Sequence, residues 1–465
     1  YYIKREILIR NFMFKKAFRN FMSRRTIIAK VRNKTMNTFS SFEVFKEVRS
    51  KAEAARKEEN RPHEVFYFHK VDDPYSHLTI QCFKKLQSSF DILLKPILVG
   101  EENNEAVHEP SLYGAYCIND VRRIAPFYNI DFTATEYPAR EMVEKANSIL
   151  TAVTAENFFE IAIKVSDALW KGDANILDGL SSSYFSTKRE IKQHLTQGNK
   201  IRDSKGYYFG SAFYYEKELY WGVDRLSHLE NRLSELGAKH PHANESICSL
   251  ELKAPMHFAS DTKVNLYYYP SLNSPYTFVS TKRVRQIVKD YPVNLITKPV
   301  LPMLMRMMTI PKFKAKYIIS DAAREGRKHG HEMKSIYSPI GKPARKSYSL
   351  FPIIDKAGKG FEYIEALLKA SFQDGINIGD EGFLKGLVTD LGLDWTIIKK
   401  DLNTKHWKKI LNENVDDMYT GNCWGVPSFK ITDLDGSNPF YVWGQDRMWL
   451  LKEEIYKRLE TIYEN

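Results

Sequence analysis

At 465 residues, with 43% hydrophobic and 27% charged side chains, the chain has a globular composition and the length for two or three domains, each with its own core. No apolar run approaches the ~18–20 residues of a membrane-spanning helix. The net charge of +12 is concentrated: residues 1–35 hold eleven basic side chains against the single acid Glu6, so the folded body carries only +2 and is not expected to bind nucleic acid.

In that basic leader, Lys4, Arg5, Arg10, Lys15, Lys16 and Arg19 alternate with Ile7, Leu8, Ile9, Phe12, Phe14, Phe18 and Phe21. The pattern suits an anionic membrane surface, a macromolecular partner such as RNA, or a transit-like segment. A solvated extension or a helix packed on the body fits equally well. As a docking arm, residues 1–35 would be removable with little change in thermal stability. Cys82, Cys117, Cys248 and Cys423 contain no Cys-x-x-Cys pair, which argues against a zinc ribbon and a dithiol motif. Buried thiols in a reducing compartment are expected. The location expected is therefore cytoplasmic, peripheral to a membrane if the leader docks there, or organellar if the leader is transit-like.

Residues 42–59 are charged and helix-prone and read as a connecting helix. Glu64-Val-Phe-Tyr-Phe-His69 reads as a strand, followed by Asp72-Asp-Pro-Tyr-Ser76. Much later, Val264-Asn-Leu-Tyr-Tyr-Tyr269 reads as a second such strand and leads into Ser274-Pro-Tyr-Thr277. Ser274 suits an N-cap and Pro275 the first helical position, while Val284, Ile287, Val288 and Tyr291 repeat at helical spacing. A strand thus delivers its end onto a helix N-terminus, which favours an anion.

Aligning Pro74 with Pro275 exposes an internal repeat. Lys95-Pro-Ile-Leu98 corresponds to Lys298-Pro-Val-Leu301, Tyr116–Asp120 to Tyr317–Asp321, and Trp221-Gly-Val-Asp-Arg-Leu226 to Trp443-Gly-Gln-Asp-Arg-Met448. The domains expected are a leader and connecting helix (1–60) and two homologous units (61–255 and 256–465), hinged near Gly237–Asn244. In the second unit, 361–373, 382–390 and 395–402 read as helices. Ser428–Ile431 and Phe440–Trp443 read as a hairpin around Asp435-Gly436, and 447–463 as a closing helix. The fold class expected is α/β, two tandem thioredoxin-like domains, each a β-α-β start, an inserted helical subdomain and a β-β-α end.

The second unit resembles the DsbA-like thioredoxin superfamily, in its 2-hydroxychromene-2-carboxylate isomerase and kappa-class glutathione transferase branch. The resemblance is carried by Tyr268-Tyr269 with Ser274-Pro-Tyr276, by Gly425-Val-Pro-Ser-Phe429 and by Trp443–Met448. Where redox members hold Cys-x-x-Cys, this chain has Ser274-Pro-Tyr-Thr277, so dithiol exchange there is excluded. The resemblance implies glutathione as cofactor. Ser274 would hydrogen-bond its sulfur and favour the thiolate, as a helix N-terminus also does. Pro427 matches the cis-proline, and the backbone of Val426 would pair with the glutathione peptide. Gln445 and Asp446 match the position holding the γ-glutamyl end. The pocket loop after Lys298-Pro299 looks shortened, and Met303–Met308 read as repacked core. In the first unit Asp73 replaces the serine and Phe209-Gly-Ser-Ala-Phe213 lacks the proline, which suggests a degenerate copy.

The function expected is a glutathione-dependent isomerase or transferase acting on a small electrophilic substrate, with oligomerisation compatible. The alternative is a non-catalytic tandem adaptor or assembly protein docked through its leader. Thiol–disulfide exchange would require a cysteine pair brought together in space. His240, His242, His329 and His331 read as surface-loop histidines rather than metal ligands. Asp416-Asp417 reads as solvated, and Cys423 as a buried, inert thiol.

Overall fold

The computed structural model describes residues 26–101, 105–243, 246–248, 250 and 263–464. The chain divides into two compact units: Lys46–Leu252, and Tyr1–Phe45 together with Lys253–Asn465. They are the N-terminal and C-terminal units below. Helix α1 (Thr26–Ser40) belongs to the C-terminal unit, and helix α2 (Phe42–Glu58) lies mostly in the N-terminal one.

The N-terminal unit runs β1 (Glu64–His69), α3 (Pro74–Ile80), α4 (Phe83–Ser89) and β2 (Leu93–Leu98). Helices α5 (Pro110–Ile124), α6 (Arg140–Ala152), α7 (Phe158–Lys171), α8 (Ala174–Ser181) and α9 (Lys188–Ser204) follow, then β3 (Ala212–Tyr215), β4 (Glu218–Trp221) and α10 (Leu226–Glu235). The strand order is β2-β1-β3-β4, with β1 parallel to β2 and antiparallel to β3. Alternate aromatics of β1 and β3 face the core, with Tyr67 5.0 Å from Phe213 between ring centres and both fully buried.

The C-terminal unit has the same plan. It runs β5 (Val264–Tyr269), α11 (Pro275–Asp290), β6 (Val293–Thr297) and a helical middle of α12 (Lys312–Lys328), α13 (Lys342–Lys356), α14 (Gly360–Phe372), α15 (Glu381–Asp390), α16 (Trp395–Ile398) and α17 (Trp407–Thr420). It ends with β7 (Ser428–Thr432), β8 (Phe440–Trp443) and α18 (Met448–Glu464). The order β6-β5-β7-β8 repeats that of the first sheet, again with one parallel and two antiparallel pairings. The reading of 395–402 as one helix was too long: α16 stops at Ile398, and Lys399–Asp401 form a 3-10 turn.

The inserted helices bury a core around Phe278, Tyr348, Phe351, Tyr363, Leu367 and Trp407. Each such side chain contributes roughly 1.5–3 kcal/mol. Helix α11 packs Phe278 and Val279 into this core, and its Val284 and Ile287 are buried as well. That burial holds its N-terminus in place.

Helix α1 packs on α12, so the C-terminal part of the basic leader is not a free arm. Asn37 Oδ1 accepts from the Ile336 N–H (2.9 Å), Asn33 Oδ1 accepts from the Ser338 N–H (3.0 Å), and Arg32 donates to the Ser338 carbonyl (2.8 Å). The remaining leader residues, 1–25, lie outside the described residues.

Candidate functional site

Strand β5 ends at Tyr269, and five residues later Ser274 caps α11. Its backbone is extended, and its Oγ accepts from the Thr277 N–H at 3.2 Å. The same hydroxyl donates to the Val426 carbonyl at 3.3 Å. Val426 precedes β7 and is joined to Pro427 by a cis peptide bond. The Pro427 carbonyl accepts from the Gly444 N–H (2.8 Å), which ties this loop to the end of β8. Ser274, Val426 and Pro427 are therefore brought together. Ser274 and Val426 are half-buried, and the Val426 N–H has no partner among the described residues.

Thr277 does not present its hydroxyl to this cleft. It is fully buried, and its Oγ1 accepts from the Ser271 N–H at 3.5 Å. The helix start thus offers one hydroxyl donor and the positive end of a 16-residue helix, and the facing loop adds the Val426 N–H. It can hold an anionic acceptor. It cannot form a disulfide, because neither Ser274 nor Thr277 carries sulfur.

Gln445 and Asp446 follow Gly444 directly. Gln445 is buried, donates to Glu325 Oε2 at 2.9 Å and to Asp446 Oδ1, and accepts from Arg283. Its amide is engaged inside the protein, between α11 and α12, whereas Asp446 is half-exposed. Tyr276, the residue after Pro275, donates to Asp321 Oδ2 on α12 (2.7 Å), and Arg324 completes an ion pair with that carboxylate.

Backbone and aromatics form the wall beside Val426. A Cβ on Gly425 would lie 2.5 Å from the Trp443 ring, so only glycine lets the indole approach. The Trp424 and Trp443 ring centres are 5.2 Å apart, and the Lys314 ammonium sits 5.2 Å from the Trp424 ring. Burial lowers the Lys314 pKa to about 8. Met303–Met308 are half-buried, Met305 packs against the core, and Arg306 among them reaches the Tyr419 hydroxyl (2.6 Å) and the Trp424 carbonyl (3.3 Å).

A second polar cluster lies on the β5 face that carries Tyr267 and Tyr269. Asp417 on α17 accepts from Tyr269 (2.7 Å), Lys430 (2.7 Å), Lys298 and Tyr441 (3.2 Å). Burial alone would raise its pKa, but these hydrogen bonds lower it to about 2. The solvated reading of Asp417 is thereby corrected. Its sequence signal is the alternation that puts Tyr267, Tyr269 and Lys430 on one sheet face in need of a carboxylate.

Asp73 occupies the matching helix start in the N-terminal unit. It accepts from the Tyr75 and Ser76 N–H groups (3.1 Å each) and from Ser76 Oγ (2.8 Å). Gly210 and Ser211 stand where the C-terminal unit has Val426 and Pro427, and the Ser211 carbonyl accepts from the Gly222 N–H at 2.7 Å. The cap is a carboxylate already saturated by local donors, unsuited to a thiolate.

Residues 265–456 match the family model of the DSBA-like thioredoxin domain. That stretch is DSBA-like. Among solved structures, 2-hydroxychromene-2-carboxylate isomerase is 17% identical, with a TM-score of 0.37, covering 43% of this chain and 98% of that one. The cytosolic disulfide reductase DsbM from Pseudomonas aeruginosa is 15% identical (TM-score 0.32), covering 42% and 99%. Its structure with GSH matches at 13% identity (TM-score 0.31) over the same shares. No curated protein matches the chain.

Among the remaining sequence candidates, no group of three or more metal-ligating side chains occurs among the described residues. His331 is not a surface residue: it is buried, its ring centre 3.9 Å from that of Phe278, and burial lowers its pKa to about 4. Cys423 is fully buried, its thiol 3.5 Å from the Gly421 carbonyl. A groove of about 720 Å³ lies away from Ser274, between Arg285, Lys289, Ile296, Asp355 and Phe361. Arg283 and Glu325, the partners of Gln445, were not legible in the sequence, because they come from helices 120 and more residues upstream.

Proposed function

We propose that the DSBA-like domain binds glutathione at Ser274 and uses its thiolate as an isomerase or transferase of the 2-hydroxychromene-2-carboxylate isomerase type. The single observation that carries this reading is the Ser274 hydroxyl at an N-terminus with no thiol, 3.3 Å from the carbonyl before cis-Pro427. The hydroxyl turns from Val426 to the glutathione sulfur, and the helix end supplies further stabilisation of negative charge. The free Val426 N–H takes a carbonyl of the tripeptide. Asp446, held by Gln445, pairs with the γ-glutamyl ammonium group.

The bound thiolate adds to an electrophilic carbon of an aromatic or enone substrate, and a double bond becomes single. Rotation about that bond and expulsion of the thiolate restore unsaturation with changed geometry. No net redox change occurs.

The N-terminal unit serves as a duplicated structural partner. Support comes from hydrogen bonds that recur in both units. Tyr75 donates to Asp120 and Tyr276 to Asp321, both at 2.7 Å, and Tyr67 donates to the Ser76 carbonyl as Tyr268 does to that of Thr277, both at 3.3 Å.

Calorimetric titration of the full chain with glutathione tests the proposal. Binding is expected, and Ser274→Ala is expected to keep it while raising the pKa of the bound thiol, read from thiolate absorbance. Absence of binding heat in the wild type would contradict the reading. A second reading, a non-catalytic adaptor or assembly protein, is favoured by the internal engagement of the Gln445 amide, which leaves one fewer group for a ligand. It predicts no glutathione binding.

A further inference from the structure

Cys82 and Cys248 are 166 residues apart in sequence, yet their sulfurs lie 3.3 Å from one another. Both thiols are free and half-buried, whereas Cys117 and Cys423 are buried. Cys82 sits at the junction of α3 and α4, and its thiol lies 3.9 Å from the Leu78 carbonyl. Cys248 sits in the last stretch of the N-terminal unit. Buried Glu230 on α10 holds that stretch through the Ile247 N–H (3.2 Å) and the Ser246 hydroxyl (3.4 Å). Two separate anchors thus converge on one sulfur–sulfur contact.

We propose that Cys82 and Cys248 are a redox-active dithiol site, oxidised to an intramolecular disulfide by small-molecule disulfides. The sulfurs need to close by roughly 1.2 Å to reach a bond of about 2.05 Å. The hydrogen bond with Cys82, burial and the nearby Glu230 and Asp224 carboxylates push the Cys248 thiol up. The Cys82 thiolate attacks one sulfur of the small disulfide, forms a mixed disulfide and expels one thiolate. Cys248 gives its proton to solvent and attacks the Cys82 sulfur, and the second small thiolate leaves. Two protein thiols are oxidised and one small disulfide is reduced to two thiols. The product ties the segment before Leu252 covalently to the α3–α4 junction.

This site is independent of the glutathione site proposed for the other unit. The test is to incubate the full chain with glutathione disulfide, quench in acid, alkylate and map the peptides by mass spectrometry without reduction. A peptide pair joining Cys82 to Cys248, lighter by two hydrogen atoms and lost on reduction, is expected, with Cys117 and Cys423 still alkylated. Cys248→Ser should leave a stable mixed disulfide on Cys82. Ser274→Ala should cross-link as the wild type does, which separates this proposal from the fate of the glutathione reading. Recovery of Cys82 and Cys248 as free thiols, or each as a separate mixed disulfide in the wild-type chain, would overturn it. Because the decisive map is of the wild type, poor folding of a variant leaves the test intact.

Discussion

At the residue scale, buried imidazoles make the protein acid-sensitive in a defined window. His69, His77 and His331 are buried, and burial lowers their pKa values to about 3, about 4 and about 4. In the unfolded chain each returns to about 6.5. Below that value the unfolded state binds more protons than the folded one, so stability present above pH ~6.5 is lost as the pH falls towards 4. Asp417, lowered to about 2, adds a second window: its contribution is complete above ~4 and is lost between ~4 and ~2. Thermal melts are expected to show Tm falling from pH 6.5 to 4, by a loss on the order of a few kcal/mol, and His331→Phe should flatten that slope. A Tm unchanged across this range would contradict the burial argument. The same residues mark what the sequence left illegible. His331 read as loop surface because His329-Gly-His331 is polar, whereas its burial depends on Phe278 across the domain. Ser274 was legible, because an N-cap is local: serine, then proline, then a helical apolar stripe.

At the element scale, boundaries were readable where local chemistry decides them. β1, β5 and β8 fall at the residues their aromatic and β-branched runs indicate, and α11 begins at Pro275 behind its cap. Helix α1 was different, since nothing in its sequence announces a partner. Its docking rests on Asn33, Asn37 and Arg32 meeting the backbone of Ile336 and Ser338, a match visible only in three dimensions. The expected effect of truncation is revised accordingly. Removing residues 1–35 deletes the Arg32 and Asn33 contacts and two-thirds of α1, and should lower stability by about 1–3 kcal/mol, read from denaturant unfolding. Stability unchanged by this truncation would sink the assignment of α1 to the folded body.

At the scale of the whole molecule, two units of one strand order present two unlike helix starts. One is capped by Asp73, already saturated by its own backbone and Ser76. The other is capped by Ser274, whose hydroxyl faces the carbonyl before cis-Pro427. The shared strand order was legible because Pro, Lys-Pro, Tyr–Asp and Trp-Gly-x-Asp-Arg landmarks keep their order along the chain. The contact of Cys82 with Cys248 was not, because spacing along a chain says nothing of two loops that meet 166 residues apart. The central claim, glutathione at Ser274, is tested most directly by crystals of the full chain grown with glutathione. Electron density with the sulfur at the Ser274 hydroxyl and the tripeptide backbone against Val426 is the result expected. A Ser274–Val426 hydrogen bond left intact, with no density between them at saturating glutathione, would contradict it.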